Sequence, residues 1–494
     1  MTENSLKEKT AKGLMWGSIG NGAGLILGTF FGIFLARLLS PSDYGMVGVL
    51  QVFILIANTI QDSGFRAALA NRKEVRHEDY NAVFWFNTGS AAILYALLFF
   101  LAPFITAFYQ KSDFAIEHDL SALTSLARFC FIGIVTASLG TAHYAYLFRT
   151  LQVKQKAIIT ITSLCISSLI GITMAFLGYS YWSLATQGVA FTMCNTMLFW
   201  HFSKWTPSLP VSFKPLKEMF GFSSKLLATS ICGCLGGNIL SVMLGRFYSV
   251  TGVGIYNQAS KWTSMGANLI QSTVLEVAQP VLRNVADDRG RHKRVFRKML
   301  RFTAFIAFPA LFGLAFVSRE LILIAVTDKW IGSVPLMQIL CACAFAAPIQ
   351  ALCMNLVISK GRSDVILWNT LALSAVQLSA VLFTHPYGIH AMVCAFAAIN
   401  ILWLFVWFFF VHREIGLRPG EALLDTAPYA VTAACAILAT SLILSGLEDV
   451  YLLFGLKIVL TAIFYTLLMW ACGSAIFKEC LGFLSRKARH KPHG

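Results

Sequence analysis

Ile401-Leu402-Trp403-Leu404-Phe405-Val406 is apolar at every position. A strand of a membrane barrel alternates apolar and polar residues with period two, so this stretch excludes a barrel. The remaining structure that pairs its own backbone groups in lipid is the α-helix. Similar runs recur from Leu14 to Phe477, and about 20 such residues wound as a helix cross the ~30 Å hydrocarbon core. The whole chain agrees, with 57% hydrophobic and 13% charged residues and a mean hydropathy of +0.68. A soluble domain carries about 25% charged residues. The expected fold is an all-α polytopic membrane protein. Its first apolar run follows Lys7, Lys9 and Lys12, but no small-x-small cleavage site comes after it. It reads as a first span, not a removed leader.

Spans are expected at 14–37, 45–65, 82–109, 119–146, 157–178, 181–202, 222–249, 252–281, 302–326, 331–358, 365–384, 388–411, 427–446 and 451–477, fourteen in all. Lys and Arg favour cytoplasmic loops. With the N-terminus inside, only Arg37, Lys111, Arg128, Arg246, Lys261, Arg319, Lys329 and Lys457, eight of the 39 Lys and Arg, fall on outer loops or within spans. That asymmetry supports an even span count and both termini in the cytoplasm. It also explains the net charge of +16 without a nucleic-acid partner. The most basic inner segment, 283–301, reads as a topogenic patch lying on anionic lipid headgroups. The longest outer loop, 110–118, is short. No loop has room for an ATPase domain, and no G-x-x-x-x-G-K-[ST] phosphate loop occurs. The 12 cysteines scatter through apolar segments. The pairs Cys232/Cys234 and Cys341/Cys343 sit two apart on helices and do not share a face, so they read as packing residues.

An internal repeat is visible. An offset of 209 superimposes Arg37 on Arg246, Ser40 on Ser249, Gly45 on Gly254, Gly28 on Gly237 and Leu147 on Leu356. Six spans separate the copies, so the repeats are parallel, related by an axis along the membrane normal. The expected organisation is an N-lobe over 1–205, a C-lobe over 206–415, and two appended helices with a basic tail over 416–494. The first span carries Gly20, Gly24, Gly28 and Gly32 at every fourth position, a face that lets another helix approach closely and that could bend or slide.

An ionisable group at the bilayer centre costs roughly 2.5–3.5 kcal/mol on insertion scales, so those retained need a cavity or a partner. Arg128 and Lys261 fall near mid-membrane; Arg37 and Arg246 are repeat-related at outer helix ends. If they face the gap between lobes, these four cations line a cavity suited to an anion. A diphosphate fits best, since it accepts paired hydrogen bonds from Arg. Asp62 and Glu276 lie toward inner helix ends, where they pair with Arg66 and Arg283 or take up a coupling cation. His143 reads as a packed or headgroup-facing residue. No acid–base pair, activated nucleophile, metal cluster or cofactor motif emerges.

Ordered motifs carry a family resemblance. They are Gly13-Leu14-Met15-Trp16, Leu35-Ala36-Arg37-Leu38-Leu39-Ser40-Pro41-Ser42-Asp43-Tyr44-Gly45, Asp62-Ser63-Gly64, Asn81-Ala82-Val83-Phe84-Trp85, Gly178-Tyr179-Ser180-Tyr181-Trp182-Ser183-Leu184 and Gly254-Ile255-Tyr256-Asn257-Gln258-Ala259. Over roughly residues 10–415 the chain resembles the polysaccharide transporter branch of the multidrug/oligosaccharidyl-lipid/polysaccharide flippase superfamily, and within it the Wzx-like exporters. The resemblance implies fourteen helices in two lobes of six plus two, and a cationic central cavity. It also implies a sugar repeat unit on undecaprenyl diphosphate as substrate. Arg37 and Lys261 match positions where similar proteins carry a cation. Ser241 departs from an acidic or Asn residue common thereabouts.

The expected activity is therefore translocation of a lipid-linked oligosaccharide, with membrane lipids and the polysaccharide polymerase or export machinery as further partners. The alternatives are a cation-coupled drug or metabolite exporter, a lipid II flippase, and a polytopic glycosyltransferase or polymerase. The first needs acidic residues to dominate its cavity. The last needs a substantial extramembrane loop for sugar chemistry.

Overall fold

The computed structural model describes residues 3–62, 64–65, 68–69, 72, 74–109, 120–209, 211–285, 288–360, 362–474 and 476–479. The expected outer loop 110–118 with Lys111, the expected Asp62 partner Arg66, and the tail beyond 479 lie outside them. Among the described residues no strand occurs.

Two compact units divide the chain, Met1–Gly254 and Ile255–Gly494. The first holds α1 (Glu3–Leu38), α2 (Pro41–Asp62), α3 (His77–Phe108), α4 (Leu120–Ser138), α5 (Thr141–Arg149), α6 (Val153–Phe176), α7 (Trp182–Phe202) and α8 (Lys214–Phe247). The helix α9 (Val250–Asn284) follows. The second unit continues with α10 (Arg289–Phe316), α11 (Ser318–Ala325), α12 (Ser333–Ala344), α13 (Ala346–Ser359), α14 (Ser363–Thr384), α15 (Ile389–Ile415), α16 (Pro419–Ile443) and α17 (Val450–Ala471). Twelve segments among the described residues are long and apolar enough to cross a membrane. The expected sixth and eighth spans, α7 and α9, are long helices outside those twelve, consistent with a total of fourteen. The fourth and tenth spans are each broken, at Leu139–Gly140 and at Phe345.

The 209-residue offset runs through the element boundaries. It carries α3 onto α10, α6 onto α14 and α7 onto α15 to within a few residues, and it carries the ends of α1 and α2 at Leu38 and Pro41 onto those of α8 and α9 at Phe247 and Val250. Leu147 and Leu356 are both fully buried. By contact, α8 packs on α2 and α3, inside the first unit. On α1, Gly20 meets α6 most closely: a Cβ there would lie 2.7 Å from that of Ala157, whereas one on Gly24 would meet nothing. Further along, a Cβ on Gly28 would meet Leu164 of α6 at 3.9 Å, an ordinary contact.

The linker after α7 is strapped to the first unit. Asn81 holds both backbone groups of Ser208, at 2.8 and 2.9 Å, and Trp205 is buried against His143, Tyr80 and Phe84. His143, also ringed by Trp200, is a fully buried packing residue.

The expected basic loop 283–301 is a helix from Arg289 onward, capped by Asp288, whose carboxylate accepts from the Arg291 amide at 3.0 Å. That bond holds the Asp288 carboxyl below its ordinary value. Part of this basic stretch turns inward rather than toward lipid. Asp425 of α16 is buried and takes two hydrogen bonds each from Arg297 and Arg301, at 2.6 to 2.9 Å. Lys293 meets Glu421 at 2.8 Å. Toward the other end of the helix pair, Lys457 of α17 meets buried Glu320 of α11 at 3.0 Å and donates to the Phe316 carbonyl at 3.3 Å. Between these ion pairs, Ala304 and Phe308 pack on Tyr429, Ala433, Tyr465 and Met469. The appended helices α16 and α17 are thus clamped to the second unit at two levels.

Asp425→Asn removes the one anion that both guanidiniums share and leaves their donors poorly matched. We expect a loss of about 1–3 kcal/mol, read as a lower Tm of the detergent-purified protein. An unchanged Tm would remove the clamp.

Candidate functional site

Within the first unit, α2, α4, α5, α6 and α7 enclose a cleft of about 320 Å³ lined by Asn58, Gln61, Asp62, Thr141, Tyr144, Thr192, Asn195 and Thr196 among others. The helices present these groups by their own periodicity. Asn58, Gln61 and Asp62 are spaced i, i+3, i+4 on α2; Thr192, Asn195 and Thr196 repeat that spacing on α7. Such positions share one helix face, so each helix turns a polar stripe toward the cleft. Sequence reasoning found Asp62 alone here. The paired spacing was the signal that could have found the rest.

The lining is rich in acceptor oxygens. Gln61 donates to Thr141 at 3.1 Å, Thr136 and Thr192 share a hydrogen bond at 3.1 Å, and the Thr196 hydroxyl donates to the Thr136 carbonyl at 2.8 Å. The side-chain oxygens of Asn58 and Asn195 are buried and accept no hydrogen bond. Buried acceptors left so are uncommon and costly. Among the described residues no Lys or Arg lines this cleft. Beside it, Lys156 donates to the Tyr144 hydroxyl at 2.8 Å and lies 4.2 Å over that ring.

Of the four cations singled out in the sequence, Arg37, Arg128 and Arg246 belong to the first unit and Lys261 to the second. Arg37 is exposed at the end of α1, and Lys261 is exposed on α9. Arg128 and Arg246 both reach α3. Arg128 lies 4.2 Å over the Phe99 ring and donates its Nε–H to the Phe99 carbonyl at 3.2 Å. In an unbroken helix that carbonyl accepts from the residue four ahead, but here that residue is Pro103, which has no N–H. Arg128 therefore supplies a donor that the proline removed. Arg246 lies 4.9 Å over the Phe108 ring and donates to the Phe108 carbonyl, one of the unsatisfied carbonyls that end a helix, where a cation also suits the helix dipole.

Glu276 is exposed on α9. Among the described residues no group of three or more His, Cys, Asp or Glu side chains could hold a metal. Cys234 and Cys341 each contact a threonine hydroxyl, Thr59 at 3.4 Å and Thr263 at 3.2 Å.

The chain belongs to the polysaccharide biosynthesis protein family, whose profile matches residues 34–335. It is 26% identical over 368 residues to the lipopolysaccharide biosynthesis protein WzxC of Escherichia coli K12, covering 73% of this chain and 72% of that protein. To the teichuronic acid biosynthesis protein TuaB of Bacillus subtilis it is 23% identical over 454 residues, 89% of this chain and 90% of that one. Its fold is that of the lipid II flippase MurJ in an inward closed conformation, with a TM-score of 0.75 at 16% identity, over 94% of this chain and 99% of that one.

Arg128→Met leaves the Phe99 carbonyl without a donor and should cost about 1 kcal/mol. Pro103→Ala restores the helical N–H, so the double variant should lose far less than the single one. Additive Tm changes across the four proteins would show that Arg128 does not serve the proline break.

Proposed function

We propose that this member of the polysaccharide biosynthesis protein family flips a lipid-linked oligosaccharide, a repeat unit carried on undecaprenyl diphosphate, across the bacterial inner membrane by alternating access. The observation that carries the reading is where the polar groups sit. A family concerned with polysaccharide assembly has here a chain made mostly of helices long and apolar enough to cross a membrane, with a polar cleft enclosed among helices of the first unit. Sugar chemistry would need an extramembrane domain, and the described connections between helices are short. The fold shared with a lipid II flippase supports the same reading. Arg37, Arg128, Arg246 and Lys261 supply positive charge to draw the diphosphate. Arg128 and Arg246 each spend a donor on α3, and a guanidinium has five. Cells lacking the protein should accumulate complete undecaprenyl-linked repeat units facing the cytoplasm; incomplete sugars would point to an enzyme instead. Arg37→Gln with Lys261→Gln should abolish export at normal membrane abundance, and normal export by this variant would exclude both from substrate binding.

The cleft around Asp62 favours cation coupling of that same transport. The buried side-chain oxygens of Asn58 and Asn195, which accept no hydrogen bond, and the nearby Asp62 carboxylate make a set of hard oxygen ligands suited to a small cation. Sodium chloride, compared with choline chloride at equal ionic strength, should raise the Tm of the purified protein. Asp62→Asn should remove that rise, and Glu276→Gln should keep it. A sodium response that survives Asp62→Asn, or no response to sodium or to pH in the native protein, would end the coupling role of this cleft.

A further inference from the structure

The connections α1–α2 and α8–α9 are repeat-related turns on the face opposite the basic loops. Each begins its second helix with a serine cap: the Ser40 hydroxyl accepts from the Asp43 amide at 3.2 Å, and the Ser249 hydroxyl accepts from the Gly252 amide at 3.1 Å. Satisfying a free N–H in this way fixes the start of each helix. The two turns lie against one another, and they do so twice in the same manner. A methyl group built on Gly45 would fall on the carbonyl oxygen of Val250, and one built on Gly254 would fall on the carbonyl oxygen of Pro41. Residues 41 and 250 differ by 209, as do 45 and 254. Residue i of one copy meets residue j of the other, and j meets i, which is the signature of a two-fold contact. At both places the neighbour is backbone, which a substituted side chain cannot displace cheaply; only glycine permits such an approach.

The contact is also dry. Ala36, Met46, Leu50, Leu244, Val250 and Val253 are all fully buried. Tyr109 is buried beside them and donates its hydroxyl to the Val49 carbonyl at 3.1 Å. A Cβ on Gly245, the repeat mate of Ala36, would lie 2.9 Å from the Tyr109 ring. Few side chains have to rearrange for such a surface to part, because the seal is backbone on backbone.

We propose that these two turns are the gate of the face opposite the basic loops, closed by the reciprocal seating of Gly45 on Val250 and of Gly254 on Pro41, and that access from that face requires them to separate. The inference rests on the transport reading above. It adds the element whose two positions alternate.

Gly45→Ala and Gly254→Ala should prevent closure, while Gly237→Ala, which meets nothing within 4 Å, is the matched control. Hydrogen exchange of the purified protein should then be faster over 38–46 and 247–255 in the two gate variants, with export lost, and unchanged in the control. Native-like protection of both turns in either gate variant would overturn the gate. Should those variants fail to fold, Ser42→Cys with Thr251→Cys in the otherwise native chain replaces them. Oxidation should join these two positions, as peptide mapping reads, and stop export until a thiol reductant restores it. No bridge on oxidation, or export that continues with the bridge in place, would equally overturn it. Exchange and bridging are read without any substrate. Failure of the flippase proposal would appear separately, as unaltered lipid intermediates in cells lacking the protein.

Discussion

Hydrocarbon offers no hydrogen bonds, so every backbone polar group within it has to be paired by the protein. That single constraint orders most of what this molecule does. It forces the chain into helices, and it makes each departure from a regular helix visible as a demand for a donor. Pro103 is one such departure, and the Phe99 carbonyl it orphans is taken by Arg128. The end of α3 is another, taken by Arg246. Two cations whose presence among apolar helices suggests ligand binding thus have a structural task, and each keeps donors for a second one.

Charge burial follows the same logic. An ion removed from water is tolerated when its partner comes with it. Asp425 lies between Arg297 and Arg301, and Glu320 lies against Lys457. These pairs tie α16 and α17 to the helices of the second unit, so the appendage moves with that unit. The cleft around Asp62 is built otherwise. The side-chain oxygens of Asn58 and Asn195 are buried there and accept no hydrogen bond. The contrast separates groups that hold the fold from groups that await something.

Duplication gives the molecule its mechanical symmetry. A constant offset relates helix ends and serine caps of the two copies, and at the paired turns it relates contacts as well. The seating of each glycine on the other copy's carbonyl needs no special chemistry. It needs only that one position in each copy lack a Cβ, which is why a short motif in a weak repeat can be of mechanical consequence.

The all-helical, many-span character and the 209-residue offset were legible in the sequence, because apolar length and a fixed offset are properties of residues taken in order. The boundary of the basic segment 283–301 was not, because its helix extends past the apolar run and is fixed by the Asp288 cap and by acids on α16. Asp62 was legible as an acid in an apolar span. Asn58, Gln61, Thr192 and Asn195 were not read as its companions, although their i, i+3, i+4 spacing carried the hint. What Arg128, Arg246, Arg297 and Arg301 touch was decided by tertiary structure alone. Hydropathy and charge add up along a chain, whereas a partner depends on how each helix is rotated about its axis, and that rotation is set by all of its neighbours at once.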